Sequence, residues 1–424
     1  MHIFLTKILS ILSSATLRQS MITFSGTVIN GVLGAVFYIV VASVVGPYVF
    51  GLMTIAITLL TLVADMANLG TDTGLVNFVG RNFVNQKLKA YKFLKLGLEI
   101  KIVVWAALLL VGWFACPWLA ETLFAKSELT SSLRISLFGV GGALLFSFIT
   151  HSLQGMQRFW AWSGIQISTN ALRVAGILVL VGINSLNLET GMAAYAITPF
   201  LGFLIGIVML PRAFITVRGE KSVAKEFFRY NKWVALLTLV TAFSARLDTF
   251  ISARLISAYE LGLYSLATKL TAIVPQIVVA LGTVFSPKMA SMGSLTDYKK
   301  YFKKTLLMTS GMFFLGLLSI PAVLLAIPFL FGNQYNGTEP LFVVHMLAML
   351  IFLISVPFHA SIYYYFSKPK FFFWLSLVHL IIIAGIGWLL ISAFGAMGAS
   401  VTVLIGSAFN FVIPAVWVLR TLSK

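Results

Sequence analysis

Four basic side chains lie inside long apolar stretches of the sequence, where a charge needs a partner. They are Arg173, Arg246, Arg254 and Lys269. A charge at the centre of a membrane-spanning helix costs roughly 3 kcal/mol or more, so each of these residues needs an anion, a counter-ion or water. The planar fork of an arginine donates two hydrogen bonds to phosphate oxygens. These side chains are therefore suited to holding a pyrophosphate at membrane depth.

Three of these cations lie deep within their predicted helices. With a rise of about 1.5 Å per residue, Arg173 lies roughly 18 Å, Arg246 roughly 15 Å and Lys269 roughly 12 Å from one end. Arg254 and a fifth cation, Lys101, lie close enough to predicted helix ends for their side chains to reach the interface. We expect Arg173, Arg246, Lys269 and Arg254 to form a cationic substrate-binding cavity. Structural ion pairs between helices are the alternative interpretation.

Three acidic residues of the same stretches are possible partners of these cations. They are Asp65, Asp72 and Asp248. Asp248 follows Arg246 by two residues, so the two side chains point about 200° apart on a helix and cannot pair with each other. Each acid is predicted either to form an ion pair or to bind the H⁺ or Na⁺ of a coupled transport cycle. The residues leave both roles open.

A polar stripe is predicted along the second apolar stretch, because polar residues recur there at alternating steps of four and three. Its members are Thr54, Thr58, Thr61, Asp65, Asn68 and Asp72. This spacing places them on one face of a helix. In lipid, such a face must turn to protein or water, so Thr61 and Asn68, with Asn30 and Asn170, are predicted to line a polar cavity. Hydrogen bonding between helices is the alternative.

The elements that must position these residues follow from composition. The chain has 424 residues, of which 59% are hydrophobic and 10% charged, and its mean hydropathy is +0.99. Too little polar surface remains for a water-soluble globule of this size. A membrane-spanning helix needs ~20 apolar residues, which predicts an all-α integral membrane protein of about twelve transmembrane helices. The predicted spans are 21–45, 50–70, 96–116, 133–153, 161–183, 190–210, 233–256, 261–285, 304–328, 340–363, 370–393 and 396–419.

The formal charge of +18 is explained by membrane topology rather than by a nucleic-acid partner. Of the thirty Lys and Arg, five lie deeper within spans, Lys126 and Arg134 lie on the outer side, and the others lie on the side of both termini. Basic loops stay in the cytoplasm, so both termini are predicted to be cytoplasmic. Residues 1–20 are predicted to form an uncleaved interfacial helix. The single cysteine, Cys116, offers no disulfide and no metal cluster, and no cofactor is expected.

Two halves of the chain share a repeated segment. Residues 42–59 align without gaps on residues 253–270, a shift of 211, and six positions are identical. Each copy joins two spans at the same place in a six-span half, which predicts two parallel six-helix lobes. The predicted domains are the interfacial helix 1–20, an N-terminal lobe 21–210, a basic cytoplasmic linker 211–232 and a C-terminal lobe 233–424.

The motifs within these repeats resemble those of a known family. GPYVFGL followed by LGTDTGLVNFVGR, and RLDTFISARLISAYELGLYSLATKL followed by Pro287-Lys288, look like polysaccharide-type members of the multidrug, oligosaccharidyl-lipid and polysaccharide exporter superfamily. Within that superfamily, these motifs resemble the Wzx-type O-antigen flippases. The resemblance implies a MATE-like fold in the bacterial inner membrane. It also implies transfer of an undecaprenyl-pyrophosphate-linked oligosaccharide, with polysaccharide assembly enzymes as further partners.

Three other functions fit these residues less well. An enzyme is disfavoured because the outer loops are short and no paired acid and base, nucleophile elbow or phosphate-binding glycine loop is present. A MATE-like antiporter for cationic drugs or metabolites remains the main alternative, although surplus intramembrane cations favour an anionic cargo. A passive channel is disfavoured, because two parallel lobes imply a rocking motion rather than a fixed pore. The residues leave open the glycan, the coupling ion and whether the product is O-antigen, capsule or teichoic acid.

Overall fold

The computed structural model describes residues 15–423, and within them the chain is helical with no strand. Of the predicted interfacial helix 1–20, residues 1–14 lie outside the described residues, and residues 15–20 begin the first long helix. The helices are α1 (Ala15–Ala67), α2 (Thr71–Asn82), α3 (Lys87–Trp118), α4 (Thr130–Gly155), α5 (Phe159–Gly182), α6 (Leu188–Ile207), α7 (Ala224–Ser244), α8 (Leu247–Leu255), α9 (Ala258–Thr271), α10 (Ile273–Ala290), α11 (Leu295–Phe331), α12 (Thr338–Ala360) and α13 (Pro369–Ser423). Shorter helical turns join them at Leu119–Leu123, Ser127–Leu129, Ala213–Thr216, Glu220–Val223, Asn333–Tyr335 and Ser361–Tyr365.

Two of these helices are too long for a single crossing of a membrane. Helix α1 has 53 residues and α13 has 55, whereas about 20 residues span the hydrocarbon. Each bends at a glycine in the left-handed region, Gly46 (φ 73°) in α1 and Gly395 (φ 58°) in α13. Pro47 follows Gly46 and starts the second half of α1, because proline suits the first turn of a helix. Each of the two helices therefore holds two successive spans.

The number of spans agrees with the sequence. Nine apolar helical runs in the described part of the chain are long enough to cross a membrane, and α7 with α8 forms a further, bent pair at 43°. Two of the nine runs hold two spans each, and the bent pair adds one, which makes twelve. The chain is thus an all-α, multi-pass membrane protein.

The chain divides into two compact units. Among the described residues, unit 1 comprises 15–40 and 56–246, and unit 2 comprises 41–55 and 247–423. The segment 41–55, which contains the bend of α1, therefore belongs to unit 2 although it lies in the N-terminal half of the sequence. The lobe boundaries expected from the sequence stay a prediction.

Unit 1 includes the whole of the predicted basic linker 211–232. Helix α7 begins within it, and Phe227 of α7 packs with Phe78 of α2 and Phe93 of α3, whose rings stack at 4.5 Å. Lys89 pairs with Glu226 at 3.0 Å. Buried aromatic pairs of this kind stabilise a contact by about 1 kcal/mol beyond their area. The segment is therefore fixed to unit 1 by an apolar core as well as by surface charge.

Unit 2 contains the second copy of the repeated segment and residues 42–55 of the first. A capping box at Ser257 and Glu260 starts α9, because the two side chains satisfy each other's free backbone N–H groups. The hydroxyl of the buried Tyr335 donates to the carbonyl oxygen of Ala42 at 3.0 Å. This hydrogen bond connects the start of the first repeat to the turn after α11.

Candidate functional site

Arg173 is the centre of a polar cluster in unit 1. Its Nε donates to Oγ1 of Thr198 at 3.1 Å and its Nη1 donates to Oδ1 of Asn170 at 2.9 Å. Asn170 in turn donates to Asn30. The guanidinium carbon lies 4.3 Å from the ring centre of Tyr195, a cation–π distance. Among residues 15–423, no carboxylate lies within ion-pair distance of Arg173, so the cluster keeps a net positive charge.

Three helices position this cluster. Arg173 and Asn170 are one turn apart on α5, Thr198 lies on α6 and Asn30 lies on α1. Arg173 is half-buried and lies well inside its 24-residue helix. Because Thr198 and Asn170 hold two of its nitrogens, the guanidinium is oriented while Nη2 makes no hydrogen bond within the described residues. A fixed, partly exposed guanidinium can bind an anionic oxygen with little loss of side-chain freedom.

Arg246 forms an ion pair with Asp65. Its Nη2 lies 2.7 Å from Oδ2 of Asp65, and its Nε donates to Oγ1 of Thr61 at 3.1 Å. Both partners lie on α1, while Arg246 lies in the break between α7 and α8. The structure thus shows the ion-pair alternative for Arg246 and Asp65. Contact of Arg246 with a substrate stays a prediction.

Asp72 lies in a second, more buried polar network in unit 1. Lys101, fully buried, pairs with Asp72 at 2.8 Å and donates to Oδ1 of Asn68 at 3.2 Å and to Oγ of Ser147 at 3.3 Å. Nδ1 of His151 lies 3.4 Å from Asp72. The ion pair shows how a lysine at this position is satisfied without water.

The expectation that Lys101 reaches the interface is therefore wrong. The helix expected from residue 96 begins at Lys87 instead, so Lys101 lies fourteen residues inside α3, roughly 21 Å from its start. The first residues of α3 are polar, so the hydropathy pattern excluded them from the predicted span. They nevertheless continue the helix beyond the apolar run.

The predicted polar stripe is also interrupted. Helix α1 ends at Ala67, and Leu69 (φ 49°) and Gly70 (φ 73°) are left-handed before α2 begins at Thr71. The stripe is continuous only as far as Asp65. Asn68 accepts hydrogen bonds from Thr71 and from the backbone N–H of Asp72, so it serves as a local cap.

The remaining predicted residues lie in unit 2. Asp248 accepts a hydrogen bond from the buried Tyr264 hydroxyl. Lys269 is half-buried in the last turn of α9, and Arg254 is exposed in the last turn of α8. The described residues include no group of three or more His, Cys, Asp or Glu side chains placed to hold a metal ion.

Sequence reasoning missed Ser147, His151, Tyr195 and Tyr264 as partners of the charged residues. Ser147 and His151 are one turn apart on α4, a spacing that places them on one face. This spacing could have indicated from the sequence that the two side chains share a polar face. Nothing in the sequence indicates that Tyr264 contacts Asp248, because their helices meet only through tertiary packing.

Comparisons with known proteins agree with this fold. The solved structures it resembles include a multidrug resistance MATE family transporter of the MOP superfamily in an inward-facing conformation, with 14% identity over 95% of this chain and 98% of the other and a TM-score of 0.73. They also include the lipid II flippase MurJ in an inward closed conformation, with 16% identity over 93% and 87% of the two chains and a TM-score of 0.75. A MOP superfamily transporter from Pyrococcus furiosus matches at 12% identity over 96% and 95% of the two chains, with a TM-score of 0.64. At these identities the likeness shows the fold.

The sequence itself is matched at the level of a family. A comparison with curated protein sequences gives no match. A sequence model of the family described as polysaccharide biosynthesis protein matches residues 16–293. The family is thus described by its part in polysaccharide biosynthesis, and the fold neighbours named above are transporters and a lipid II flippase. The matched region covers more than half of the chain, which therefore belongs to the polysaccharide biosynthesis protein family.

Proposed function

We propose that this protein is a flippase that moves an undecaprenyl-pyrophosphate-linked oligosaccharide across the bacterial inner membrane for surface polysaccharide synthesis. Two lobes of a MATE-like fold would expose the site alternately to each side. Both termini would lie in the cytoplasm, where most of the Lys and Arg outside the spans fall. Polysaccharide assembly enzymes on the two sides are the proposed partners.

The uncompensated charge of Arg173 is the observation that carries this proposal. A guanidinium at membrane depth without a carboxylate partner is costly unless an anion binds there. A pyrophosphate supplies that anion, and its oxygens match the free Nη2 edge of the guanidinium. Phe37 and Tyr195 flank the charge on the protein side, so they hold the arginine without neutralising it.

The charges of unit 1 disfavour the antiporter alternative. A site for a cationic drug needs an acid whose charge is not already matched. Asp65 is paired with Arg246, and Asp72 is paired with Lys101. The acids of unit 1 within its helical core are thus matched, whereas the cation Arg173 is not. This balance supports an anionic cargo.

The test is flipping of undecaprenyl-pyrophosphate oligosaccharide in proteoliposomes containing wild-type protein, Arg173→Gln or Arg134→Gln. Arg173→Gln removes the charge and keeps a polar amide on a shorter side chain. We expect it to lower the flipping rate about tenfold or more, the size of a lost charged hydrogen bond. Arg134→Gln removes a cation in the second turn of α4, whose guanidinium carbon lies 4.9 Å from the ring centre of Trp113 in α3. It should change the rate less than about twofold.

Two results would overturn the proposal. In the first, wild-type protein moves none of a panel of lipid-linked glycans but exchanges an organic cation against a proton gradient, which establishes the antiporter. In the second, Arg173→Gln flips the lipid at the wild-type rate with equal protein insertion, which removes the cationic cluster from the mechanism.

A further inference from the structure

The start of α11 has a basic side and a buried side. Four exposed lysines recur there at the spacing that groups side chains on one side of a helix, and we call them the basic face: Lys299, Lys300, Lys303 and Lys304. Asp297 is the only acid of residues 295–304. The exposed side of this segment is therefore strongly cationic.

Aromatic packing fixes the opposite side of the segment within unit 2. The buried Tyr298 stacks on Tyr365 with 3.8 Å between the ring centres, and Phe302 packs edge-on against Phe358 of α12 at 5.2 Å. Tyr298 and Phe302 are one turn apart on α11, so both point away from the basic face. Because the helix cannot roll without breaking these contacts, the four lysines stay directed outward.

The basic face borders a membrane-spanning run. Helix α11 has 37 residues, and its residues 305–331 carry no charged side chain. At about 1.5 Å per residue, this uncharged part is roughly 40 Å long, which is enough to cross the hydrocarbon of a bilayer. All four lysines lie within two turns of its start. This places them at the level of the lipid head groups.

The charges of the basic face are not compensated within the described part of the protein. None of the four lysines lies within 4.0 Å of a carboxylate among the described residues. Helix α3 also begins with lysines, but there Lys89 pairs with Glu226 at 3.0 Å and Lys95 pairs with Glu220 at 3.3 Å. The surplus charge of α11 therefore favours an anionic partner outside the chain.

An exposed apolar stripe continues the basic face along the same helix. Leu307, Phe314 and Leu318 follow Lys303 at steps of four, seven and four residues, which keep side chains on one side of a helix. They are 74%, 62% and 75% exposed. This side of α11 thus presents cations at one end and apolar surface next to them. A phospholipid has the matching arrangement of an anionic phosphate and acyl chains.

We propose that the basic face binds the phosphate groups of anionic phospholipids in the leaflet that borders the start of α11. The inference goes beyond the proposed function, because it concerns the lipid around unit 2 and not the transported molecule. Each lysine near a membrane surface raises the affinity for anionic lipid several-fold. A lipid phosphate fits better than a soluble anion, because the apolar stripe lies where the acyl chains of the same lipid would run.

The experiment measures binding of phosphatidylglycerol to the full-length protein in detergent by native mass spectrometry. Phosphatidylcholine, which has the same phosphate but no net charge, is measured beside it. The test variant has glutamine at the four positions of the basic face, since glutamine and lysine have similar helix propensities, and a second variant has arginine there. The matched control has glutamine at the four lysines at the start of α3: Lys87, Lys89, Lys92 and Lys95.

We expect glutamine at the basic face to weaken binding of phosphatidylglycerol about tenfold or more and binding of phosphatidylcholine less than about twofold. Arginine at the same positions keeps the charge and should leave phosphatidylglycerol binding within about twofold of wild type. The α3 control should weaken it less than about threefold, because two of its lysines are already paired. The thermal midpoint of the glutamine variant should match that of wild type, because the basic face forms no ion pair among the described residues.

Three results would overturn the proposal. Equal loss of phosphatidylglycerol binding in the α3 control would show attraction by total charge and not by this face. Displacement of bound phosphatidylglycerol by sodium phosphate, but not by sodium chloride of the same ionic strength, would show a site for a soluble anion. Loss of binding in Arg173→Gln would place the lipid at the Arg173 cluster. Each result is obtained without a flipping measurement, so failure here is distinguishable from failure of the proposed function.

Discussion

Gly51 and Gly262, at equivalent positions in the two copies of the repeated segment, each lie against the backbone of the other copy. A Cβ on Gly51 would lie 1.9 Å from the carbonyl oxygen of Ala258, and a Cβ on Gly262 would lie 1.9 Å from that of Pro47. Pro47 and Ala258 are themselves separated by the repeat shift of 211. The two contacts are therefore related by the same internal symmetry as the sequences.

This symmetric contact predicts that Gly51→Ala and Gly262→Ala destabilise unit 2 to a similar extent. A methyl group at either position overlaps a backbone oxygen, which cannot rotate away, so the two segments must separate. Overpacking of this kind costs on the order of 1–3 kcal/mol. Thermal unfolding in detergent should show a lower midpoint for both variants. A Cβ on Gly311 of α11 would meet no atom within 4 Å, so Gly311→Ala should not lower the unfolding midpoint. Unchanged midpoints for both Gly51→Ala and Gly262→Ala would contradict the close backbone contact.

The buried Lys101–Asp72 ion pair predicts that a single substitution lowers the free energy of unfolding far more than the double substitution does. Lys101→Met leaves the carboxylate of Asp72 buried without its main partner, which costs about 3–5 kcal/mol. Lys101→Met with Asp72→Leu removes both charges and should recover most of that loss. Chemical unfolding of wild type, Lys101→Met, Asp72→Leu and the double variant measures the coupling between the two residues.

The surface pair Lys89–Glu226 is the matched control for this cycle. Its side chains are 37% and 42% exposed, and such pairs contribute about 0–1 kcal/mol. Lys89→Met should therefore change the unfolding free energy far less than Lys101→Met. Equal effects at the two sites would show that Lys101 is solvated.

The number of spans could be predicted from the sequence because it depends on the length of apolar runs, a local property. The partners of the charged residues could not, because they depend on tertiary packing. Asp65 and Arg246 are 181 residues apart, and Asp72 and Lys101 are 29 apart. Their spacing carries no periodic signal. Asn170 and Arg173 were found because their one-turn separation on α5 is itself local.

Coupling to an ion gradient is predicted to depend on Asp248 rather than on Asp65. Asp248 accepts a hydrogen bond from Tyr264, and no cation lies within 4.0 Å of it among residues 15–423, whereas Asp65 is already paired with Arg246. An acid without a fixed cation can bind H⁺ or Na⁺. Asp248→Asn should abolish the response of flipping to an imposed gradient, and Asp65→Asn should keep it. The opposite pattern, measured with Na⁺ and H⁺ gradients separately, would assign coupling to Asp65.

Beyond the repeated segment, Leu69-Gly70-Thr71 recurs as Leu281-Gly282-Thr283 at a shift of 212. The glycines of these two tripeptides predict opposite effects of the same substitution. Gly70 is left-handed, and its Cβ position lies 2.9 Å from Cβ of Val234, so Gly70→Ala should destabilise the protein by about 1 kcal/mol or more. Gly282 lies inside α10 with open space around it, and alanine there should stabilise the helix by about 0.5–1 kcal/mol. Unfolding midpoints that move in the same direction would show that the two copies share one backbone conformation.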